Sequence, residues 1–507
     1  MIHTSKNLIV QFMLPLTRIF RLVPEKALLT IAAGLSMAGC SLQPPYQAPA
    51  LPIASAWHAE RPHGGSTQAL VNWWASFDDP AIAELIGIAE TNSPDLAKAI
   101  AQIKIARATL VSDSAALLPS VTGTGSVSRS KQSVSTGSTG SSTETVTSTS
   151  RSGELDASWE IDLFGKNKSS REYAHAQLQA SVNDWHDARV SLAAEVADDY
   201  VQYRGCKLLL QAYRNAAASQ NQTLRMTRTT VLAGLTAQSD GYLAEASAAS
   251  AAATATGQNV SCEEIVKSLV AVTGADETSV RDIIDRPSAP TLPEPANFNV
   301  NSVPADLVRQ RPDLASAERT LASYYAAIGE ARADRFPSLS LSGSIALSAT
   351  NFSSPVPTWS FGPSLSVPIF DAGKKKAAVD SALASYDKQL ASYQSSVRSA
   401  IKAVEQAMID LDGAARQSDD SKRSADQYQR YADAKEQSWT AGLDTLLTLE
   451  EARRSAISAE VTLIEQRRNR IRYWIALYKA LGGGWQGESN AVPQVAIPTS
   501  YLQGSTQ

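Results

Sequence analysis

Two strings recur at one spacing: Pro94-Asp95-Leu96-Ala97 returns as Pro312-Asp313-Leu314-Ala315, and Pro119-Ser120 returns as Pro337-Ser338, both displaced by 218. A chain that repeats itself over this distance is built from two copies of one unit, which argues against an enzyme with one cleft. Further pairs follow downstream: Phe164/Phe370, Ala233-Gly234-Leu235/Ala441-Gly442-Leu443 and Gly274/Gly482, the last two at an offset of 208. The fall from 218 to 208 assigns the extra residues to the first copy, between Ser120 and Phe164. That interval holds a Ser/Thr/Gly run, Ser126 to Ser152, expected to be a polar loop facing the exterior.

At the N-terminus, Lys6, Arg18, Arg21 and Lys26 precede an apolar stretch, Ala27 to Gly39, that ends in Met37-Ala38-Gly39-Cys40. This reads as a secretory signal, too short for a membrane helix of ~20 residues. Small residues before a cysteine fit a lipoprotein cleavage site, so 1–39 is expected to be removed and Cys40 to carry lipid, the only non-protein group expected. An ordinary signal beside a chance cysteine is the alternative, and Met13 is an alternative start. The other cysteines, Cys206 and Cys262, are each 28 residues from Gly234. If the chain folds back there as a helical hairpin, they are level, and an oxidising compartment favours a disulfide. The alternative is two buried thiols that never meet.

No later apolar run reaches ~18 residues, so any crossing of a membrane must be by strands. A net charge of −4 gives no case for nucleic acid. Helical spacing predicts helices from Ala81 to Thr91 and from Pro94 to Leu117, the second carrying Leu96, Ile100, Ile103, Ala106 and Leu110. The period then changes to two: Val121, Gly123, Gly125 and Val127 alternate with polar partners, as do Leu155, Ala157, Trp159, Ile161 and Leu163. Leu339, Leu341, Gly343 and Ile345, then Phe361, Leu365, Val367 and Ile369, repeat the pattern. Two hairpins cannot close a barrel wide enough for a channel, so a barrel would be shared among chains. From Lys166 to Leu232 there is no proline, which at 1.5 Å per residue predicts a rod of ~100 Å. The rod turns near Gly234 and returns to Gly274, and the second copy runs from Lys374 through Gly442 to Gly482.

The expected organisation is therefore a signal (1–39), an extended segment with a short helix (40–91), and repeat one (92–274) with hairpins 119–164 and 166–274. A proline-rich linker (275–308), repeat two (309–484) with hairpins 337–370 and 374–482, and a tail (485–507) complete it. Nothing suggests an enzyme or a metal site. His3, His58, His63, His175 and His186 have no ligand spacing and are expected to be solvated, and Gly482-Gly483-Gly484 reads as a helix stop.

Trp73-Trp74 with Asp79-Pro80, the segment Val303 to Leu314, Ile161-Asp162-Leu163-Phe164-Gly165-Lys166, and Leu477 to Trp485 together resemble the outer-membrane factors of tripartite efflux pumps. This is the TolC superfamily, and the likeness is to its lipoprotein, NodT-like branch. The resemblance implies a mixed, mainly α fold with β: a homotrimer forming an outer-membrane β-barrel, four strands per chain, continued by a long periplasmic α-helical barrel. It implies a periplasmic adaptor and an inner-membrane transporter of the RND type as partners, outer-membrane lipids as surroundings, and passive export of drugs or other small molecules. A type I protein-secretion exit and a structural coiled-coil lipoprotein are the alternatives.

In this family, acids six and nine positions beyond the turn glycine line the constriction. Asp240 and Glu451 match those positions, while Thr448 and Leu243 break the pattern. Asp444 and Glu450 lie nearby, and Trp439, three before Gly442, stands where the family places an aromatic gating residue. Solvated acids near helix N-termini, and core packing for Trp439, are the competing readings.

Overall fold

The computed structural model describes residues 43–49, 73–77, 79–135, 143–286, 291–295 and 310–485. Cys40, the signal, half of the linker and the tail after Trp485 lie outside the described residues. The fold is mainly helical with one four-stranded antiparallel sheet. The chain divides into two compact units: described residues 43–47, 107–176 and 322–388 form one, and the remainder form the other.

Helices α1 (Pro80–Asn92) and α2 (Pro94–Ala115) precede strands β1 (Ser120–Ser135) and β2 (Thr143–Ile161). Then come α3 (Lys166–Leu232), α4 (Gln238–Thr273), α5 (Glu277–Ile284) and α6 (Pro312–Ala333). Strands β3 (Ser338–Thr350) and β4 (Ser353–Ser366) and helices α7 (Lys374–Thr440) and α8 (Leu446–Ala480) follow. The helices α3 and α7 are each 67 residues, and Gly234, Gly274 and Gly442 supply the positive φ at which helical segments stop.

In the first unit the strand order is β1-β2-β3-β4. Ser120 pairs with Ser158 at the base of one hairpin and Ser338 with Ser366 at the base of the other, so the two base pairs are offset by 218 and 208. The Ser/Thr run is not the loop expected from Ser126 to Ser152, because the ladder continues to Ser135 and Thr143. Hydroxyl pairs explain this: Ser126 bonds Ser152 (2.8 Å) and Ser128 bonds Ser150 (2.7 Å), holding strands together without apolar alternation. The tip, 136–142, lies outside the described residues.

In the second unit the motif residues prove to be structural. Asp79 caps α1 by accepting from the Ala81 amide (3.0 Å) and also accepts from the Tyr200 hydroxyl (2.6 Å). Trp73 stacks on Tyr478 with ring centroids 5.0 Å apart. Arg311 forks onto Asp313 (2.9 and 2.7 Å) and donates to the Ala480 carbonyl (2.6 Å). Gly482 is required beside it, since a Cβ there would lie 2.0 Å from the Gln310 carbonyl oxygen. Part of the expected linker is the helix α5: Asp276 caps it, and Val280, Ile283 and Ile284 are buried at helical spacing. Cys206 on α3 and Cys262 on α4 are joined as a disulfide with Cα atoms 5.6 Å apart.

Candidate functional site

Each strand sorts its side chains by parity, because successive Cβ atoms point to opposite faces. One face of the sheet carries Ser120, Thr122, Thr124, Ser126 and Ser128 of β1, Ser340, Ser342 and Ser344 of β3, and Ser360 and Ser364 of β4. Hydroxyl pairs run across it, including Ser120 with Ser158 (3.0 Å) and Ser344 with Ser360 (3.1 Å). Its charge comes from β2, where Glu154, Asp156 and Glu160 fall on this same face. The opposite face is apolar, with Val121, Leu155, Ile345, Trp359, Phe361 and Leu365 exposed by 56–80%. Exposure of that much apolar surface is unusual for a face meeting water. The row of carboxylates follows the same alternation as the apolar residues of β2, one position out of step with Leu155, Ala157, Trp159 and Ile161.

In the second unit the residues flanking the two helical turns separate into different environments. Asp240 is half-buried in the first turn of α4, where the helix dipole favours a carboxylate. Glu451 is exposed on α8. Asp444 is not a free acid: its carboxylate is 2.8 Å from the Lys435 ammonium. That hydrogen bond, with one from the Thr445 amide, holds its pKa below the ordinary carboxylate value. Trp439 packs with Leu224 against Ala244, Leu446 and Leu449, so within this chain it is a packing residue.

Glu450, near the expected acids, is only 3% exposed. It accepts from the Gln220 amide and faces Arg453 at 3.5 Å. Arg453 also donates to the Thr223 hydroxyl on α3 and to Glu436 on α7 (2.9 Å). Four buried polar side chains, Gln220, Thr223, Glu450 and Arg453, thus form a hub between α3 and α8 that the exposed Glu436 extends to α7. No sequence pattern marks it, since Gln220 and Glu450 are 230 residues apart.

Farther along α3, Asp198 receives a forked bond from Arg472 (2.7 and 3.0 Å) beside a cleft of about 470 Å³ that Glu195 and Lys479 also line. Burial, then the neighbouring Asp198 and Glu195, push the Asp199 carboxyl up to about 6. His186 departs from the solvated expectation: it is half-buried between Trp185 and Trp485, and burial lowers its pKa. His175 is exposed, while His3, His58 and His63 lie outside the described residues. Among the described residues no group of acids, histidines or cysteines is arranged to hold a metal.

Comparison with known proteins gives a consistent picture. The outer membrane efflux protein family matches residues 85–275 and again 303–483. The antibiotic efflux pump outer membrane protein ArpC of Pseudomonas putida is 29% identical over 486 residues, covering 93% of this chain and 99% of that protein. Nodulation protein T of Rhizobium leguminosarum bv. trifolii is 30% identical over 353 residues, covering 69% and 74%. Among solved structures, the outer-membrane channel OprN superposes with a TM-score of 0.76 at 28% identity, over 88% of this chain and 100% of that one.

Proposed function

Since the chain belongs to the outer membrane efflux protein family, we propose that it is the outer-membrane duct of a tripartite efflux pump, exporting drugs or other small molecules passively. Three copies each give four strands to one shared barrel and their long helical hairpins to a periplasmic tunnel. The observation that carries this reading is the sheet: an apolar face for lipid, a hydroxyl and carboxylate face for a wet lumen, and unpaired edges at β1 and β4. Unpaired edges invite pairing with another chain, and closure with two further copies removes them. Twelve strands exceed the ~8 whose interior side chains fill, so the lumen stays open.

The duplicated unit explains the offsets of 218 and 208 between the two hairpin bases. Energy comes from an inner-membrane transporter of the RND type, reached through a periplasmic adaptor, and the chain itself is not an enzyme. Asp240 and Glu451 are the acids we place at the periplasmic constriction, where threefold repetition concentrates negative charge. Asp444 and Trp439 brace the same turn rather than line it.

The lipid anchor on Cys40 fits the course of the next residues. Gln43 donates to the Tyr325 carbonyl (2.6 Å), and Tyr325 donates to the Pro44 carbonyl (3.2 Å). Both contacts are on α6, which ends at Ala333, just before β3 begins at Ser338. Gln43 and Pro44 thus lie against the helix that leads into β3, which supports an anchor at Cys40 on the membrane side of the chain.

The test is assembly with export. Purified protein should run as a trimer unheated and as a monomer after boiling, and deleting its gene should raise drug susceptibility in a strain that has the cognate adaptor and pump. A stable monomer whose loss changes no susceptibility would end the reading.

A further inference from the structure

We propose that Arg129, Lys131 and Arg151 form a binding site for the phosphate groups of an outer-leaflet glycolipid. This rests on the barrel reading above, which turns the apolar face of the sheet toward lipid. On that face the apolar rows run from Ile161, Leu339 and Leu365 at the base to Val127 and Ala349, and on β2 they end at Arg151. Residues 151 to 161 number eleven, within the ~9–11 that a strand needs to cross a bilayer. Arg151 thus stands at the upper margin of the belt, at the end where the chain turns back, away from the bases that join the helices.

The other two cations continue the same face in the same direction. Val127 pairs with Arg151, and Arg129 is the next residue of that face on β1, opposite Thr149, which makes Arg129 and Arg151 diagonal neighbours. Lys131 is one step farther, opposite Thr147. All three are exposed, and among the described residues none has an ion-pair or hydrogen-bond partner for its side chain. The opposite face at this height carries the uncharged Ser128, Ser130, Gln132, Val146, Ser148 and Ser150, with Ser128 bonded to Ser150. The second hairpin has already turned, its ladder ending at Thr350 and Ser353, so the basic group belongs to the part of β1 and β2 that rises past it.

Depth decides what such a group is for. A cation on the lipid face near the bilayer midplane is strongly unfavourable, whereas near the interface it is almost neutral, so three together mark the headgroup layer. At the base, by contrast, Lys166 and Lys375 each have an ion-pair partner within the chain, sharing Asp334 at 2.9 and 2.7 Å. The unpaired cations are therefore directed at an anion supplied from outside the chain. Forked guanidinium bonds suit phosphate, and Arg129 and Arg151 offer two.

The experiment uses full-length protein in nanodiscs, with lipids bound after extraction quantified by native mass spectrometry. Discs contain phosphatidylcholine with phosphorylated lipid A or with the same glycolipid after phosphatase treatment. Wild type should retain phosphorylated lipid A selectively, and Arg129→Gln/Lys131→Gln/Arg151→Gln should retain it roughly a hundredfold less, at about a fivefold contribution per cation. Glu154→Gln/Asp156→Asn, on the opposite face, should leave retention unchanged. Equal retention by wild type and the triple variant, or equal retention of phosphorylated and dephosphorylated glycolipid, overturns the proposal. A spin label at Ile345→Cys, measured in the triple variant as well, separates the two readings: a label outside the acyl layer refutes the barrel assignment, while one inside it, with lipid retention unaltered by the triple change, refutes this inference alone.

Discussion

Replacing Arg453 by methionine tests whether the buried hub holds the first helical hairpin to the second. Arg453 is about 10% exposed and Glu450 about 4%, so both charges are out of water and depend on each other and on Gln220 and Thr223. Removing the guanidinium leaves the Glu450 carboxylate buried with the Gln220 amide as its remaining hub partner, a change that costs about 3–5 kcal/mol. Glu436 contributes little to that figure, because half of its side chain is exposed and regains water, which limits its share to about 1 kcal/mol. The double variant Glu450→Leu/Arg453→Met removes both charges, and a buried pair replaced by apolar groups of similar volume is close to neutral. Hydrogen exchange of backbone amides around 216–227 and 446–456 reads the local opening equilibrium. The single variant should exchange about a hundredfold to a few thousandfold faster, and the double variant near the wild-type rate. A single variant within fivefold of wild type, or a double variant as fast as the single, would refute the view that the hub is a mutually dependent buried pair.

Three further outcomes are expected. Cys206 and Cys262 close a sequence separation of 56, so Cys206→Ser/Cys262→Ser should lower stability by about 4 kcal/mol on the loop-closure estimate, and unreduced wild type should show no thiol after denaturation. Asp199, raised to about 6, opposes folding once ionised: the penalty is absent below the unfolded value, grows as pH rises through about 4 to 6, and is complete above it. Asp199→Asn should therefore be more stable than wild type at pH 8 by about 1–2 kcal/mol, since partial exposure to water screens the shift, with the difference vanishing near pH 4, as a denaturant series across pH would record. Cys40→Ser should end incorporation of labelled palmitate, and labelling that persists in this variant would disprove the anchor.

How much of this was legible depended on whether a feature is local. The rod from Lys166 to Leu232 follows from an absence of proline over that span, and its stop from one glycine at positive φ. Strand β3 follows from simple alternation and β4 only in part, since it runs from Ser353 to Ser366 and leaves the expected Val367 and Ile369 beyond its end. The outer parts of β1 and β2 do not follow, because serine and threonine on both faces remove the apolar signal while hydroxyl pairs and backbone bonds still hold the ladder. Helix α5 was hidden in a proline-rich context although its Asp276 cap and apolar stripe were present. The Glu450 hub was beyond reach, since its partners meet only when α3 packs on α8. Trp439 shows the converse limit: a position three before the turn glycine fits a gate, but only packing reveals the leucines that cover it.

The central claim, a duct narrowed by acids, is tested most directly by electrical recording of the purified protein in planar bilayers across a KCl gradient. Wild type should give stepwise conductance with a reversal potential of cation-selective sign, reflecting Asp240 and Glu451 together with the Glu154, Asp156 and Glu160 row. Asp240→Asn/Glu451→Gln should move the reversal potential toward zero without abolishing conductance. Protein that inserts as a trimer yet conducts no current in any variant would contradict the duct, and a double variant with unchanged selectivity would place the constriction away from these acids.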